Sequence, residues 1–379
     1  MPGITSRSSS VLKQLIRFTG EALEEQSPCS PRLRDMTKQG KHSTLSEVAR
    51  KAGVGTTTVS RVINGGQGVD PTTLERVQRA IRTLGYMPNQ AARILKGDRT
   101  RAIGFVIPSI ADPFFASCAE AAQAVARKND SLLIVLTTQN DAKAEMEAVQ
   151  VLMRHRVDGF VIAPSDSDNA PLRDLVRRIP VPVVALDRPI KGSRACAVLA
   201  DNFKGAEMAT RHLIEHGYKR IACLTGEPNL YTIQERIRGY RETMEAARME
   251  CLIDTSVIDH ETAAKALQQG LFRGKKAPDA IFTLKNSATI AIFEVLQKHK
   301  VAVPKKVALL GYDDFQLAET VRPSISVIEQ PIQELGRIAA ECLFERLLGA
   351  KSDSAMCPKE TVLKTRLVRR SSCGCHPDA

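Results

Sequence analysis

The chain predicts an α/β core of two doubly wound parallel-sheet subdomains, preceded by an all-α helix-turn-helix headpiece. Three observations carry that prediction. From residue 102 onward, continuous apolar runs of four to six residues alternate with amphipathic helical patterns, which is how parallel strands covered on both faces read. These strands are too many for one small sheet. Residues 44–64, TLSEVARKAGVGTTTVSRVIN, read as two short helices across a Gly-containing turn. Finally, 379 residues exceed one small module, and the length points to two or three domains.

The headpiece begins with a capping box. The Thr44 hydroxyl can satisfy a free helix N–H, and Glu47, three residues on, can reach back to another, so a helix starts at Leu45. Leu45, Val48, Ala49 and Ala52 form one apolar stripe, and Gly53 supplies the left-handed residue that ends the helix. A second run, Val59, Val62 and Ile63, lies among short polar residues. Such a pair places the start of its second helix in the major groove of DNA. Thr56 and Thr57 are then the candidate base readers, and Arg61, one turn further, can grip guanine O6 and N7 with its guanidinium fork. Ser60 and Asn64 are assigned to phosphate. Asp70 caps a third helix with Pro71 at its first position. Leu74, Val77, Ile81 and Leu84 face the other two helices, and Gly85 stops it.

Residues 90–96, QAARILK, are a helix of less than two turns, too short to stand alone. With Arg93, Lys96, Arg99 and Arg101 around it, the segment reads as one that folds against DNA and a symmetry mate. Leu95 is its candidate wedge into a minor-groove base step. The Gly residues of NGGQG at 64–68 follow a helix and not a strand, which argues against a dinucleotide site. The core then runs through strands at 103–108, 131–136, 159–164, 181–187, 220–226, 279–284 and 307–314. Helices at 113–129, 142–154, 203–216, 233–247 and 287–299 separate them. Ligands of such folds sit outside the C-terminal strand ends.

Charge and cysteine usage narrow the function classes. Residues 1–101 hold 17 Lys+Arg against 8 Asp+Glu, a net +9, which leaves +3 for the remaining 278 residues. The basic excess therefore belongs to the end that would meet phosphates. The nine cysteines form no C-x-x-C pair and read as reduced thiols. Cys373 and Cys375 form a C-x-C, and His212 and His216 stand one helical turn apart. With no third ligand evident near the histidines, they read as surface residues, and no metal or other cofactor is expected. There is no 18-residue apolar run, and the apolar stretch at 11–18 is broken by Lys13 and Arg17, so neither a membrane span nor a signal peptide is expected. Residues 1–41 read as a disordered tail. Met36, just before the capping box, nominates an alternative translation start that intact mass would check.

From about Thr44 to about Arg370 the chain resembles the lactose/galactose-repressor family of bacterial transcription regulators. The resemblance rests on TLSEVARKAGVGTTTVSRVIN, YMPNQAARILKG, RVDGFVIAPS, LDRP, ADNFKGAEMATRHLIEHGYKRIACLTG, ERIRGY, VPKKVALLGYDD and RPSISVIEQP, in the family's order. It implies a homodimer on a near-palindromic double-stranded operator and a periplasmic-binding-protein-like core that senses a small molecule, expected to be a sugar or sugar derivative. It assigns DNA contacts to Thr44, Thr56, Thr57, Ser60, Arg61, Asn64, Asn89, Ala92 and Leu95. It places the effector cleft at Phe114, Phe115, Ser165, Asp187, Arg188, Arg236, Asn286, Asp313 and Gln330. Three crossings between subdomains are implied near Asp201–Asn202, near Gln330 and shortly before Thr361. The implied organisation is a tail at 1–41, a headpiece at 42–88, a hinge helix and linker at 89–101, and an effector-binding and dimerisation core at 102–379. Gly55, Leu230 and Lys285 depart from residues usual in the family, and the ending RRSSCGCHPDA has no leucine heptads, so a dimer is expected and not a tetramer.

The expected function is a ligand-responsive repressor in the bacterial cytoplasm, associated with the nucleoid. A sugar-binding protein without regulatory DNA binding is the alternative. An enzyme is not expected, because G-x-S-x-G, a P-loop, H-E-x-x-H and a dinucleotide fingerprint after a strand are all missing.

Overall fold

A computed structural model describes residues 43–63, 65–87, 99–267, 277–349 and 358–375. The expected tail, Asn64, and the hinge residues Asn89, Ala92 and Leu95 lie outside these residues. The chain divides into two compact units, one up to residue 96 and one from residue 97.

In the first unit, α1 (Leu45–Ala52) starts on the expected capping box, with the Thr44 N–H donating to the Glu47 carboxylate at 2.7 Å, and ends at Gly53 with φ 65°. Helix α2 (Thr56–Ile63) follows after Gly55. Helix α3 (Pro71–Leu84) starts where the Thr73 N–H donates to Asp70 at 3.0 Å and ends at Gly85. The core is small, made of Val48, Ala49, Ala52, Val59, Val62, Val77 and Ala80, with Leu74, Ile81 and Leu84 packed at its margin. Full burial of a side chain such as Val77 contributes about 1.5–3 kcal/mol, so a few such residues hold each helix in place.

The second unit contains two six-stranded sheets. The first joins β1 (Ala102–Ile107), β2 (Leu132–Thr137), β3 (Gly159–Ile162), β4 (Val183–Leu186), β5 (Cys196–Ala200) and β11 (Glu360–Leu363), in the order β11-β5-β4-β3-β1-β2, all parallel. The second joins β6 (Ile221–Leu224), β7 (Leu252–Asp254), β8 (Ala280–Thr283), β9 (Ala308–Tyr312), β10 (Ser326–Glu329) and β12 (Arg366–Val368), in the order β12-β10-β9-β8-β6-β7. Its β12 edge runs antiparallel to β10, an exception to the all-parallel expectation.

Successive strand residues point to opposite faces, and both faces are apolar. Ile103, Phe105 and Ile107 of β1 pack under α4 (Pro113–Lys128) and α11 (Ile332–Leu348), whereas Val106 packs with α5 (Ala142–Arg154) and α6 (Ala170–Arg178). The second sheet is covered by α7 (Asn202–Glu215) and α8 (Tyr231–Ala246) on one face and by α9 (His260–Ala266) and α10 (Asn286–Lys298) on the other. Each sheet has one helix pair in backbone contact at a glycine. A Cβ on Gly336 would strike the Cys118 carbonyl of α4, and one on Gly239 would strike the Phe203 carbonyl of α7.

The chain passes between sheets after β5 at Asp201 and after β10 at Gln330, as expected. The third crossing lies at Lys364–Thr365 and not before Thr361. The reason is that β11 stays paired with β5 through Leu363, and only Arg366 begins the pairing with β10. The structure also adds elements to the expected series. Strands β7, β11 and β12 are short and partly exposed, so no continuous apolar run marks them. Cys118, Cys223, Cys251, Cys373 and Cys375 are free thiols. Cys342 departs from the all-thiol expectation, being disulfide-bonded. Among the described residues no helix is long and apolar enough to cross a membrane.

Candidate functional site

The C-terminal ends of both sheets converge on a cavity of about 220 Å³. The first subdomain supplies an aromatic wall with polar groups beside it. Asp112 caps α4 by accepting from the Phe114 N–H at 3.1 Å, and this delivers Phe114 and Phe115, packed edge to face with centroids 4.9 Å apart, to the mouth of the cavity. After β4 come Asp187 and Arg188. Arg188 donates to Asp187 at 3.2 Å, to the Pro164 carbonyl at 3.0 Å and to Asn140 at 2.8 Å.

The second subdomain supplies charge. Arg236, on α8, lies with its guanidinium carbon 3.7 Å from the Tyr312 ring centroid, and it donates to Asn202 at 2.7 Å and to the Leu284 carbonyl at 2.7 Å. Its remaining contact is Asp313, at 3.4 Å. Gln330 donates its amide N–H to the other oxygen of Asp313, which leaves the buried Gln330 Oε1 without a partner. Asn140 donates to Glu227 at 3.0 Å across the cleft, and Lys285 pairs with Glu227 at 2.6 Å.

Asp187 and Asp313 occupy matching places. Each follows the third strand from one end of its sheet, each has a left-handed backbone (φ 66° and 70°), and each N–H donates to the next strand, to Val198 and Ile328 respectively. Left-handed aspartates at such positions carry local strain of the kind that clusters at ligand sites. Burial pushes the Asp187 and Asp112 carboxyls above the usual range, only partly offset for Asp187 by Arg188 and Arg236 and for Asp112 by the Phe114 N–H. For Glu227 burial acts upward too, but the Lys285, Asn140 and Arg188 contacts together outweigh it and hold the carboxyl low.

Seven of the nine expected cleft residues line the cavity: Phe114, Phe115, Asp187, Arg188, Arg236, Asp313 and Gln330. Ser165 stands one step back, its hydroxyl donating to Glu145 at 3.1 Å. Asn286 opens α10 and accepts from the Ser287 N–H at 2.7 Å, away from the lining residues. Sequence reasoning missed Asp112, Asn140 and Glu227. Asp112 carries a readable signal as the cap before Pro113. Asn140 and Glu227 belong to loops in opposite subdomains, and no local pattern joins them. In the headpiece, Thr44, Thr56, Thr57 and Arg61 are exposed and Ser60 is half-buried.

The reading of His212 and His216 as surface residues without a third ligand is corrected. His212 is buried, and the Cys375 sulfur lies 3.2 Å from His216 Nε2 and 3.6 Å from His212 Nε2. The C-terminal segment returns to the end of α7, a contact invisible at a separation of 159 residues.

Residues 44–89 match the bacterial regulatory proteins of the lacI family, and residues 100–365 match the periplasmic binding proteins and sugar binding domain of the LacI family. The chain is 32% identical over 308 residues to the ribose operon repressor of Haemophilus influenzae, covering 80% of this chain and 92% of that one. It is 34% identical over 339 residues to the transcriptional regulator CelR of Thermobifida fusca, covering 87% of this chain and 98% of that one. A solved CelR–cellobiose complex superposes with a TM-score of 0.63 at 32% identity, over 87% of this chain and all of the other. Helix-turn-helix, paired sheets and inter-subdomain cleft thus occur together in family order, and the chain belongs to the LacI family of bacterial transcription regulators, which are DNA-binding proteins and not enzymes.

Proposed function

We propose that the chain is a homodimeric, cytoplasmic repressor whose headpiece reads a near-palindromic operator and whose cleft binds a compact sugar or sugar derivative. In this reading Thr56, Thr57 and Arg61 contact base edges, while Thr44 and Ser60 contact the backbone. Asn64, Asn89, Ala92 and Leu95 complete the DNA-facing set, with residues 89–101 as hinge and 102–379 as core. The observation that carries the effector reading is the cleft itself. Phe114 and Phe115 offer apolar faces, while the Arg236–Asp313–Gln330 chain opposes them and ends in a buried, unpartnered acceptor at Gln330 Oε1. Flat apolar faces against fixed charged donors and acceptors suit a ring with hydroxyls on its edge. A cavity of about 220 Å³ suits a small one. Cleft state and headpiece spacing are coupled by a free energy typically of about 1–3 kcal/mol.

Selection of bound duplexes from a random DNA pool tests the DNA half. A near-palindrome is expected, and Arg61→Ala should lose about 1–3 kcal/mol in operator affinity with relaxed base preference. A pool with no enriched site at low salt would leave a binding protein without regulatory DNA contact. For the cleft, Asp313→Ala should keep operator affinity and abolish the response to the sugar that shifts the wild type. A retained response would move the effector elsewhere.

A further inference from the structure

We propose that His212, His216, Cys373 and Cys375 hold one zinc ion that pins the C-terminal segment to the end of α7. This site is remote from the residues that line the cleft and does not depend on the reading of effector or operator. His212 lies in the last turn of α7 and His216 caps its C-terminus, so the two imidazoles stand one above the other on one face, with ring centroids 4.2 Å apart. His216 Nδ1 is 2.9 Å from the His212 carbonyl, a bond only Nδ1–H can donate. That fixes the tautomer and leaves the Nε2 lone pair free, and Nε2 is the atom that faces Cys375. An imidazole held this way from its far nitrogen is the usual arrangement of a metal-ligating histidine.

The sulfurs arrive from a different part of the chain. After β12 a single turn at Ser371–Cys373 leads into Gly374, whose φ of 92° turns the C-G-C backbone back on itself. A Cβ at Gly374 would lie 2.9 Å from the Tyr218 hydroxyl, so glycine is required by conformation and by space. Cys373 Sγ and Cys375 Sγ are 3.4 Å apart, far beyond the roughly 2.05 Å of a disulfide. Cys373 Sγ lies 3.3 Å from His212 Nε2 and accepts from the Ser326 hydroxyl at 3.0 Å, a donor that supports a thiolate.

Zinc bonds of about 2.0–2.1 Å to nitrogen and 2.3 Å to sulfur put tetrahedral ligand atoms roughly 3.3–3.8 Å apart. Four of these separations, Cys375 to His212, His216 and Cys373 and Cys373 to His212, span 3.2 to 3.6 Å. The ligand atoms of His212, His216 and Cys375 all lie within 4.8 Å of one another, and Cys373 adds the fourth donor beside two of them. Two soft thiolates and two imidazoles select zinc over magnesium or calcium, and a complete set of four protein donors marks a structural site. On binding, the two thiols release two protons and the thiolates neutralise the ion's charge.

The test uses the full chain, stripped by chelator under reducing conditions and titrated with Zn(II) against a chromophoric competitor, with Co(II) as the spectroscopic probe. One equivalent should bind, and cobalt should show thiolate-to-metal charge transfer with the intense visible bands of a tetrahedral site. Cys375→Ser and His216→Ala should each weaken zinc binding at least tenfold, and Cys373→Ser should reduce the charge-transfer intensity. Chelator should lower the melting temperature of the wild type but not of Cys375→Ser. Circular dichroism checks that each variant is folded, and His216→Gln replaces His216→Ala if that one is not. Failure to bind one equivalent, a cobalt spectrum without a thiolate band, or unchanged zinc affinity in Cys375→Ser would overturn the site.

Discussion

The two subdomains share one strand order, apart from the antiparallel edge β12, and differ in what they present to the cleft between them. Both place an aspartate in left-handed conformation after the corresponding strand, Asp187 after β4 and Asp313 after β9. The first subdomain surrounds its aspartate with Phe114, Phe115 and a single arginine. The second builds a chain of Arg236, Asp313 and Gln330 with Lys285 and Glu227 beside it. One scaffold thus supplies a wall that buries apolar surface and a wall that fixes polar atoms. Duplicated strand ends give symmetric positions, and the side chains on them decide what each wall presents to the cavity.

Four substitutions probe that asymmetry, from the largest expected effect to the smallest. Arg236→Ala should destabilise the chain by about 3–5 kcal/mol in urea unfolding, because it leaves Asp313 buried without its cation and removes the bond to Asn202. A loss below about 1 kcal/mol would mean that the charged wall is solvated and the contrast false.

The walls should also titrate in opposite senses. Behind the aromatic wall, burial raises the Glu145 carboxyl despite the bonds from Ser165 and Asn169. Its stabilising contribution is therefore complete below the unfolded value, about 4.3, and is lost as pH rises through the raised folded value. Glu227 is held low, so its contribution is present above about 4.3 and is lost as pH falls. Urea midpoints measured against pH should accordingly fall less with rising pH in Glu145→Gln, and less with falling pH in Glu227→Gln. Shifts of the same sign would break the distinction. The smallest effect is expected for Asn140→Ala, which removes the bridge to Glu227 at the mouth. A loss of about 0.5–1.5 kcal/mol from the closed state should appear as a several-fold weaker effector. Unchanged affinity would show that closure does not use this bridge.

The legible parts of the chain were those encoded over a few residues. Thr44 and Glu47, Asp70 and Pro71, and Gly53 and Gly85 mark helix ends through backbone groups within one turn, and the helices lie where those signals put them. Strands buried on both faces show as apolar runs, as β1, β3, β8 and β9 do, and the half-exposed β11 and β12 lack such a run; β5 and β10 are buried too but were not among the expected strands. The cleft positions Asp187, Arg236 and Asp313 became readable through motif resemblance, since nothing in their local spacing says that they face one cavity.

By itself, then, the sequence determined the alternation of strands and helices, the helix-turn-helix and the identity of most cleft residues. All of these rest on interactions spanning about one helical turn, or on motifs kept in order. Only the tertiary structure decided the third crossing at Lys364–Thr365, the Asn140–Glu227 bridge and the meeting of His212 and His216 with Cys373 and Cys375. Each of these depends on which distant segments the sheets bring side by side, and for Asn140–Glu227 and His216–Cys375 the partners stand 87 and 159 residues apart in the chain.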